Sequence, residues 1–321
     1  MQRVLVLGGA GLVGSHLVDR LLSEGHEVIA IDDLSRGSFA NVAHLKRAPH
    51  FSFREHDVAV PFRAEVDRIF HLAIPSTRGT CGVDPVAAAM TCVNGTMHAL
   101  EVAAANHARL VLVTATERWG EGVRCAESLA LDFARTRQAE VCIARLPSTY
   151  GPRIAPDGDH LVTALVLQAL RGRTLVPRGR LDRRIHLTYV DDAVETLVRS
   201  MESEPRVPAV IAPSSEISVL ELAHEIAAAA GLAGVEVRAP APDAPPSTPW
   251  VAGPTLADAL PASMAFGMGA PVDIADGIAR TVRWFEVRAG RRPADRQSGV
   301  YTCDTPAVAP APARDDKLRA G

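Results

Sequence analysis

Residues 8–14 read GGAGLVG, with glycines at positions 8, 11 and 14. The apolar run Arg3–Leu7 stands directly before them, and a helix is expected after them over Gly14–Ser23, with Leu17, Leu21 and Leu22 inward and Gly25 at its end. Each glycine has its own task. The first permits a tight turn, the second lets a bound group approach backbone N–H donors, and the third lets helix and strand pack closely. A strand, such a turn and a helix open a βαβ unit, and the helix N-terminus attracts an anion.

The rest of the chain repeats that alternation. Strands are expected at Glu27–Ile31, Asp67–Leu72, Arg109–Thr114 and Val141–Leu146, and a long Ala-rich helix at Pro85–His107. Beyond Gly151 the pattern predicts helices at Leu161–Leu170, Asp191–Met201, Val219–Ala230 and Ile274–Val287, with short strands at Arg184–Val190 and Ala209–Ala212. The fold class is α/β: a doubly wound parallel sheet of Rossmann type with a smaller C-terminal domain. The expected division is 1–150 for the nucleotide domain, with 184–213 returning to it, 151–288 for the substrate domain, and a disordered tail over 289–321. A net charge of -3 gives no reason to expect nucleic acid or an anionic membrane as partner, and no apolar run is long enough to span a bilayer. Five cysteines without a CxxC pair argue against disulfides and a metal site, and suit a cytoplasmic protein.

Asp32 ends the second strand, where a carboxylate accepts bonds from an adenosine ribose. Its charge repels a 2′-phosphate, so the expected cofactor is NAD rather than NADP. Arg36 nearby works against that preference.

Further motifs extend the pattern: IDDLSRGSFANVAHL at 31–45, HDV at 56–58, HLA at 71–73, DPV at 84–86, TYGPR at 149–153, QALRG at 168–172 and YVDDAVE at 189–195. With the glycine turn, these identify the chain as similar to the extended short-chain dehydrogenases/reductases of the NAD-dependent epimerase/dehydratase family, and most similar to the UDP-glucuronate decarboxylase branch. The resemblance implies a cofactor set of Gly8, Gly11, Leu12, Val13 and Gly14, then Asp32, Asp33, Ser35, Arg36 and Gly37, then Asp57, Val58, Leu72 and Ala73. In it, Asp57 bonds the adenine amino group. It also implies a homodimer through the helix at 85–107 and a second at Arg124–Arg137.

The departures fall at the reacting centre. The family carries Ser/Thr and Tyr-x-x-x-Lys, in which the tyrosinate moves a proton while the lysine lowers its pKa. Those positions here match Ala115, Trp119 and Val123. The chain has three tyrosines and two lysines, Lys46 and Lys317, and no Tyr has a Lys four residues on. Glu117, with Thr116 beside it, matches the acidic residue of decarboxylases in this branch. It reads either as a general base or as a carboxylate paired with Arg118 or Arg124. On the substrate side, relatives place an Asn on the diphosphate where this chain has Ser148. Arg78, Cys81, Tyr150, Arg184 and His186, with His160, are the other expected pocket residues. Three activities follow: a sugar-nucleotide enzyme with a rebuilt site, an enzyme recruited to non-redox chemistry on a non-nucleotide metabolite, or a non-catalytic NAD-binding partner protein.

Overall fold

The structure is a computed structural model that describes residues 1–75, 84–116, 120–137, 139–156, 160–172, 174–203, 209–240 and 259–290. The expected tail from 291 onward lies outside them. Its first half runs β1 (Arg3–Leu7), α1 (Leu12–Ser23), β2 (Glu27–Asp32), β3 (Phe51–Glu55), β4 (Arg68–His71), α2 (Pro85–Asn106), β5 (Arg109–Ala115), α3 (Glu121–Arg137), β6 (Val141–Leu146) and β7 (Ser148–Tyr150). There follow α4 (Leu161–Leu170), β8 (Arg184–Tyr189), α5 (Val190–Glu202), β9 (Ala209–Ile211), β10 (Ser215–Ser218), α6 (Val219–Ala229), β11 (Leu260–Pro261), α7 (Ala262–Phe266) and α8 (Ile274–Arg288).

Eight parallel strands form one sheet in the order β11-β9-β6-β5-β4-β1-β2-β3. The strand period of two splits its side chains between two cores. Val4, Val6, Val28 and Ala30 face Leu17 and Leu21 of α1 and Leu197 of α5. Leu5, Leu7, Ile29 and Ile31 face the other way, onto Ala99, Leu100 and Ala103 of α2 and Ala130 of α3. Every central strand is therefore covered on both faces, which is why these strands read as unbroken apolar runs.

The stretch 184–213 divides. β9 joins the main sheet beside β6, and α5 packs on α1. β8 instead pairs with β7 and β10 in a second, three-stranded sheet. Sequence patterning passed over β3, β7 and β10, which are short or half-exposed. The helix expected from Arg124 begins at Glu121. The helix expected from Asp191 begins at Val190, with Tyr189 as its N-cap.

A buried polar cluster holds α3 against the sheet. Arg145 on β6 donates through Nε (3.2 Å) and Nη2 (2.7 Å) to the Glu127 carboxylate, and Thr114 Oγ1 donates to Glu127 Oε1 at 2.7 Å. Thr114 and Arg145 are register partners across β5 and β6, so all three groups meet beneath the β5 carboxyl end. Among the described residues no helix is long and apolar enough to cross a membrane, and no cluster of three metal-ligating side chains is present.

Candidate functional site

The chain leaves β1 for β2 on one side and returns from β3 to β4 on the other. This reversal opens a crevice at the carboxyl ends of β1 and β4, where ligands bind in such sheets. The glycine turn forms its floor. Gly8 stands at φ +81°, and its N–H donates to Ile31 O at 2.7 Å. A Cβ on Gly14 would lie 2.1 Å from Gly8 O, so only glycine lets α1 close on the turn. The N-cap of α1 is Gly11, which has no side chain to cap the first N–H groups and leaves them to a bound anion.

Asp32 is buried at the end of β2. Its Oδ2 accepts from the Ala10 N–H and its Oδ1 from the Leu34 N–H, both at 2.9 Å. Burial raises its pKa, and the backbone bonds oppose that shift. A Cβ on Gly37 would lie 2.6 Å from Oδ1, so the carboxylate faces an approach left open by the absence of a side chain. A carboxylate has about four acceptor sites, so room remains for a ribose hydroxyl. The turn and this acceptor together fit NAD.

The cleft holds about 700 Å³. Of the expected cofactor residues, Gly8, Gly11 and Leu12 line it, as do Asp32, Asp33, Ser35, Arg36 and Gly37 from the β2 end, and Val58, Leu72 and Ala73 from the far wall. Val13 and Gly14 are not on its surface; Gly14 serves packing. Asp57 is exposed and off the lining, with Oδ1 accepting from the Ala59 N–H at 2.9 Å. The sequence reading missed Asn41. Its Nδ2 donates to Ala10 O at 2.9 Å and Arg153 O at 3.4 Å, stitching the segment after β7 to the glycine turn. It also missed Arg153, Trp284 and Arg288, which reach the lining from the second half of the chain. No local motif announces Trp284 or Arg288, because only the fold of α8 brings them there.

The expected substrate residues separate. Ser148 Oγ and His160 Nε2 lie 2.8 Å apart, and His160 lines the cleft. Tyr150 does not reach the pocket. It is 1% exposed, edge-on to Tyr189 and packed against Gly277 of α8, where a Cβ would lie 2.4 Å from its hydroxyl. Burial raises its phenol above the ordinary range, so it is a core residue. Arg184 and His186 are also off the lining. On β8 the alternation turns Ile185 and Leu187 inward and these two to solvent. Arg184 pairs there with Glu216 at 3.1 Å, and His186 Nδ1 lies 3.5 Å from Ser214 Oγ. Arg78, Cys81, Glu117 and Trp119 lie outside the described residues. Thr116 is half-buried, its N–H donating to Leu146 O at 2.9 Å. Ala115 is exposed at the end of β5. Val123 is buried in a small apolar cluster with Cys92, Ala126 and Ile74, and Ile74 lines the cleft.

His71, at the end of β4, is fully buried, and neither ring nitrogen has a hydrogen-bond partner among the described residues. Desolvation pushes its pKa down from 6.5 to about 3. The fold thus holds the ring neutral, while the unfolded chain takes up a proton below about pH 6.5. The stability this contributes is complete above that pH. It is lost as pH falls toward 3, by up to about 1.4 kcal/mol per pH unit. His71→Leu is expected to flatten the acid limb of stability by one proton, read from urea midpoints between those values. An unchanged slope would contradict it.

Turn, acceptor and switch-point cleft define a dinucleotide-binding Rossmann protein. The NAD-dependent epimerase/dehydratase family model matches residues 4–124 and 115–211, and the chain belongs to that family. It is 37% identical over 249 residues to UDP-glucuronic acid decarboxylase 4 of Arabidopsis thaliana, a match covering 70% of this chain and 56% of that relative. The chain therefore spans little more than half that relative's length. To UDP-glucuronic acid decarboxylase 1 of Xenopus tropicalis it is 30% identical over 310 residues, covering 88% of this chain and 72% of the other. Among solved structures, the dTDP-glucose 4,6-dehydratase DesIV of Streptomyces venezuelae, with NAD and TYD bound, matches with a TM-score of 0.74 and 25% identity, covering 90% of this chain and 98% of that one.

Proposed function

We propose that this chain holds NAD and a nucleotide sugar of the UDP-glucuronate class, with a reacting centre rebuilt away from the Tyr/Lys couple of its family. The observation that carries this reading is Val123, buried against Cys92, Ala126 and Ile74, at the position that the sequence matches to the family's lysine. An ammonium there would lie desolvated among apolar groups. Both described tyrosines are buried in the core, and no tyrosine or lysine is among the described lining residues. NAD supplies hydride chemistry when bound. The chain's own residues hold its adenosine half through Asp32 and the glycine turn. Glu117, with Thr116 beside it, is the group we assign to any proton transfer that remains.

A positioned acid or base contributes roughly 10²–10⁴-fold. The expected result is a stabilising shift with NAD, binding of UDP-glucuronate, and turnover lower by about that factor than an intact family member assayed alongside. Glu117→Gln lowers what remains by a further tenfold or more, on the order of one such group's share. Turnover matching the intact enzyme would overturn the rebuilt site, and full activity of Glu117→Gln would remove that residue from the mechanism.

We further propose the division into a nucleotide-binding part at 1–150 and a substrate part at 151–288, a cytoplasmic location, and a homodimer through α2 and α3. The two helices pack closely, since a Cβ on Gly122 would lie 2.6 Å from Ala89 Cα, and α2 leaves Val86 and Met90 69% and 50% exposed. Met90→Glu is expected to give a monomer by light scattering. A dimer retained at micromolar concentration would count against this interface.

A further inference from the structure

One stripe of α8 changes its surroundings along its length. Gly277, Thr281, Trp284 and Arg288 follow one another at helical spacing and share a face. At its start the stripe is core: Gly277 packs on Tyr150, and Thr281 is fully buried. At its end it leaves the core, and Trp284 and Arg288 stand on the cleft lining. Ile278, Val282 and Phe285 anchor the helix in the core beside it. The Arg288 guanidinium lies over the Trp284 ring, 5.3 Å from its centroid, and Phe285 meets that ring edge-on at 4.8 Å. Such stacking fixes the plane of the guanidinium and leaves its N–H edges free to donate.

Among the described residues, the Arg288 guanidinium has no hydrogen-bond or carboxylate partner. The two carboxylates of the lining are engaged at the β2 end. Asp32 accepts from the Ala10 and Leu34 N–H groups, and Asp33 Oδ1 accepts from the Ser35 N–H at 3.0 Å and its hydroxyl at 2.7 Å. Arg153, a second lining guanidinium, is tied through Nη2 to Asp19 of α1 at 2.7 Å, while its buried Nη1 has no partner. The charge of Arg153 is thus offset by a carboxylate, and that of Arg288 is not. An uncompensated guanidinium on a cleft wall is a donor set for an anion. NAD is anionic only at its pyrophosphate, and the glycine turn serves that group from one side alone. A nucleotide sugar carries a diphosphate too, but the cleft that Arg288 lines is the one floored by the glycine turn.

We infer that Arg288 is a dinucleotide-binding residue, donating to the pyrophosphate of NAD from α8, and that Trp284 is its positioning residue. NAD is thereby held by both halves of the chain: by the glycine turn and Asp32 from the first, and by the last helix from the second. The inference rests on the NAD berth and not on the reading of the reacting centre.

The test is NAD and UDP binding to the full chain by titration calorimetry at two salt concentrations. Arg288→Gln is expected to weaken NAD about tenfold, the loss of a hydrogen bond to a charged group. Its remaining NAD affinity should also depend less on salt, because one exposed charge no longer contributes. Arg283→Gln removes the same charge from an exposed position of α8 that is off the lining, and should leave NAD affinity unchanged. Trp284→Leu should cost part of the Arg288→Gln loss, and the double variant should be no weaker than Arg288→Gln alone. Circular dichroism reports whether each variant stays folded. UDP affinity should be the same in all of them. NAD affinity unchanged in Arg288→Gln, an equal loss in Arg283→Gln, or a loss confined to UDP would overturn the inference. Additive losses in the double variant would overturn the role of Trp284. Failure of the unaltered chain to bind NAD would overturn the berth and the inference together.

Discussion

Gly14→Ala is expected to cripple NAD binding. The added Cβ would lie 2.1 Å from Gly8 O and 2.9 Å from Gly8 C and Gly9 Cα. All three are backbone atoms, so no side chain can swing aside. The turn must open, which breaks the Gly11 N–H bond to Gly8 O (3.2 Å) and redirects the donors meant for the pyrophosphate. We expect NAD affinity to fall by at least about a hundredfold, corresponding to two or more charge-assisted hydrogen bonds. Stability should fall by about 1–3 kcal/mol from overpacking. Gly25→Ala is the control. Gly25 has φ +81°, which Gly14 does not, and nothing lies within 4 Å of its missing Cβ. It is expected to carry backbone strain of about 1–2 kcal/mol with NAD binding intact. Calorimetry showing tight NAD binding by Gly14→Ala would contradict this account of the turn.

Arg145→Leu is expected to be the most destabilising single change in the sheet. The side chains of Arg145 and Glu127 are 11% and 6% exposed, and two hydrogen bonds join them. Removing the guanidinium leaves a buried carboxylate with only the Thr114 hydroxyl as a partner among the contacts described above. Breaking one side of such a pair costs about 3–5 kcal/mol. Arg145→Leu with Glu127→Leu removes both charges, so much of the loss should return. That non-additivity separates an orphaned charge from a simple packing defect. Chemical denaturation checks both, and a loss under about 1 kcal/mol for the single variant would show the pair to be solvated. Because α3 and the β5 carboxyl end share this cluster, Arg145→Leu should also loosen the site around Ala115 and Thr116.

The comparison of Tyr150 with Asp32 shows where local reading holds and where it stops. The place of Asp32 on the cleft was legible because it ends the strand that follows the glycine turn, all within one βαβ unit. Tyr150 was expected in the pocket because its motif lies beside it. Its side chain goes to the core, because α8 presents Gly277 to the ring from more than a hundred residues away. Arg184 and His186 failed for a similar reason: which face of β8 meets the core is set by β7 and β10, two strands too short for periodicity to reveal. Val123 was read locally as an apolar residue at the position matched to the family's lysine. That it fills an apolar cluster with Ile74 needed α2, α3 and the β4 loop in place.

What the sequence determined by itself was the dinucleotide berth, since strand, turn, helix and acidic strand end are neighbours in the chain and each residue's role follows from backbone geometry. The tertiary structure alone decided the wall opposite. Asn41, Arg153 and Trp284 meet across the cleft only because the second half of the chain folds back onto α1 and the glycine turn, a contact between segments too distant in sequence for any local pattern to encode.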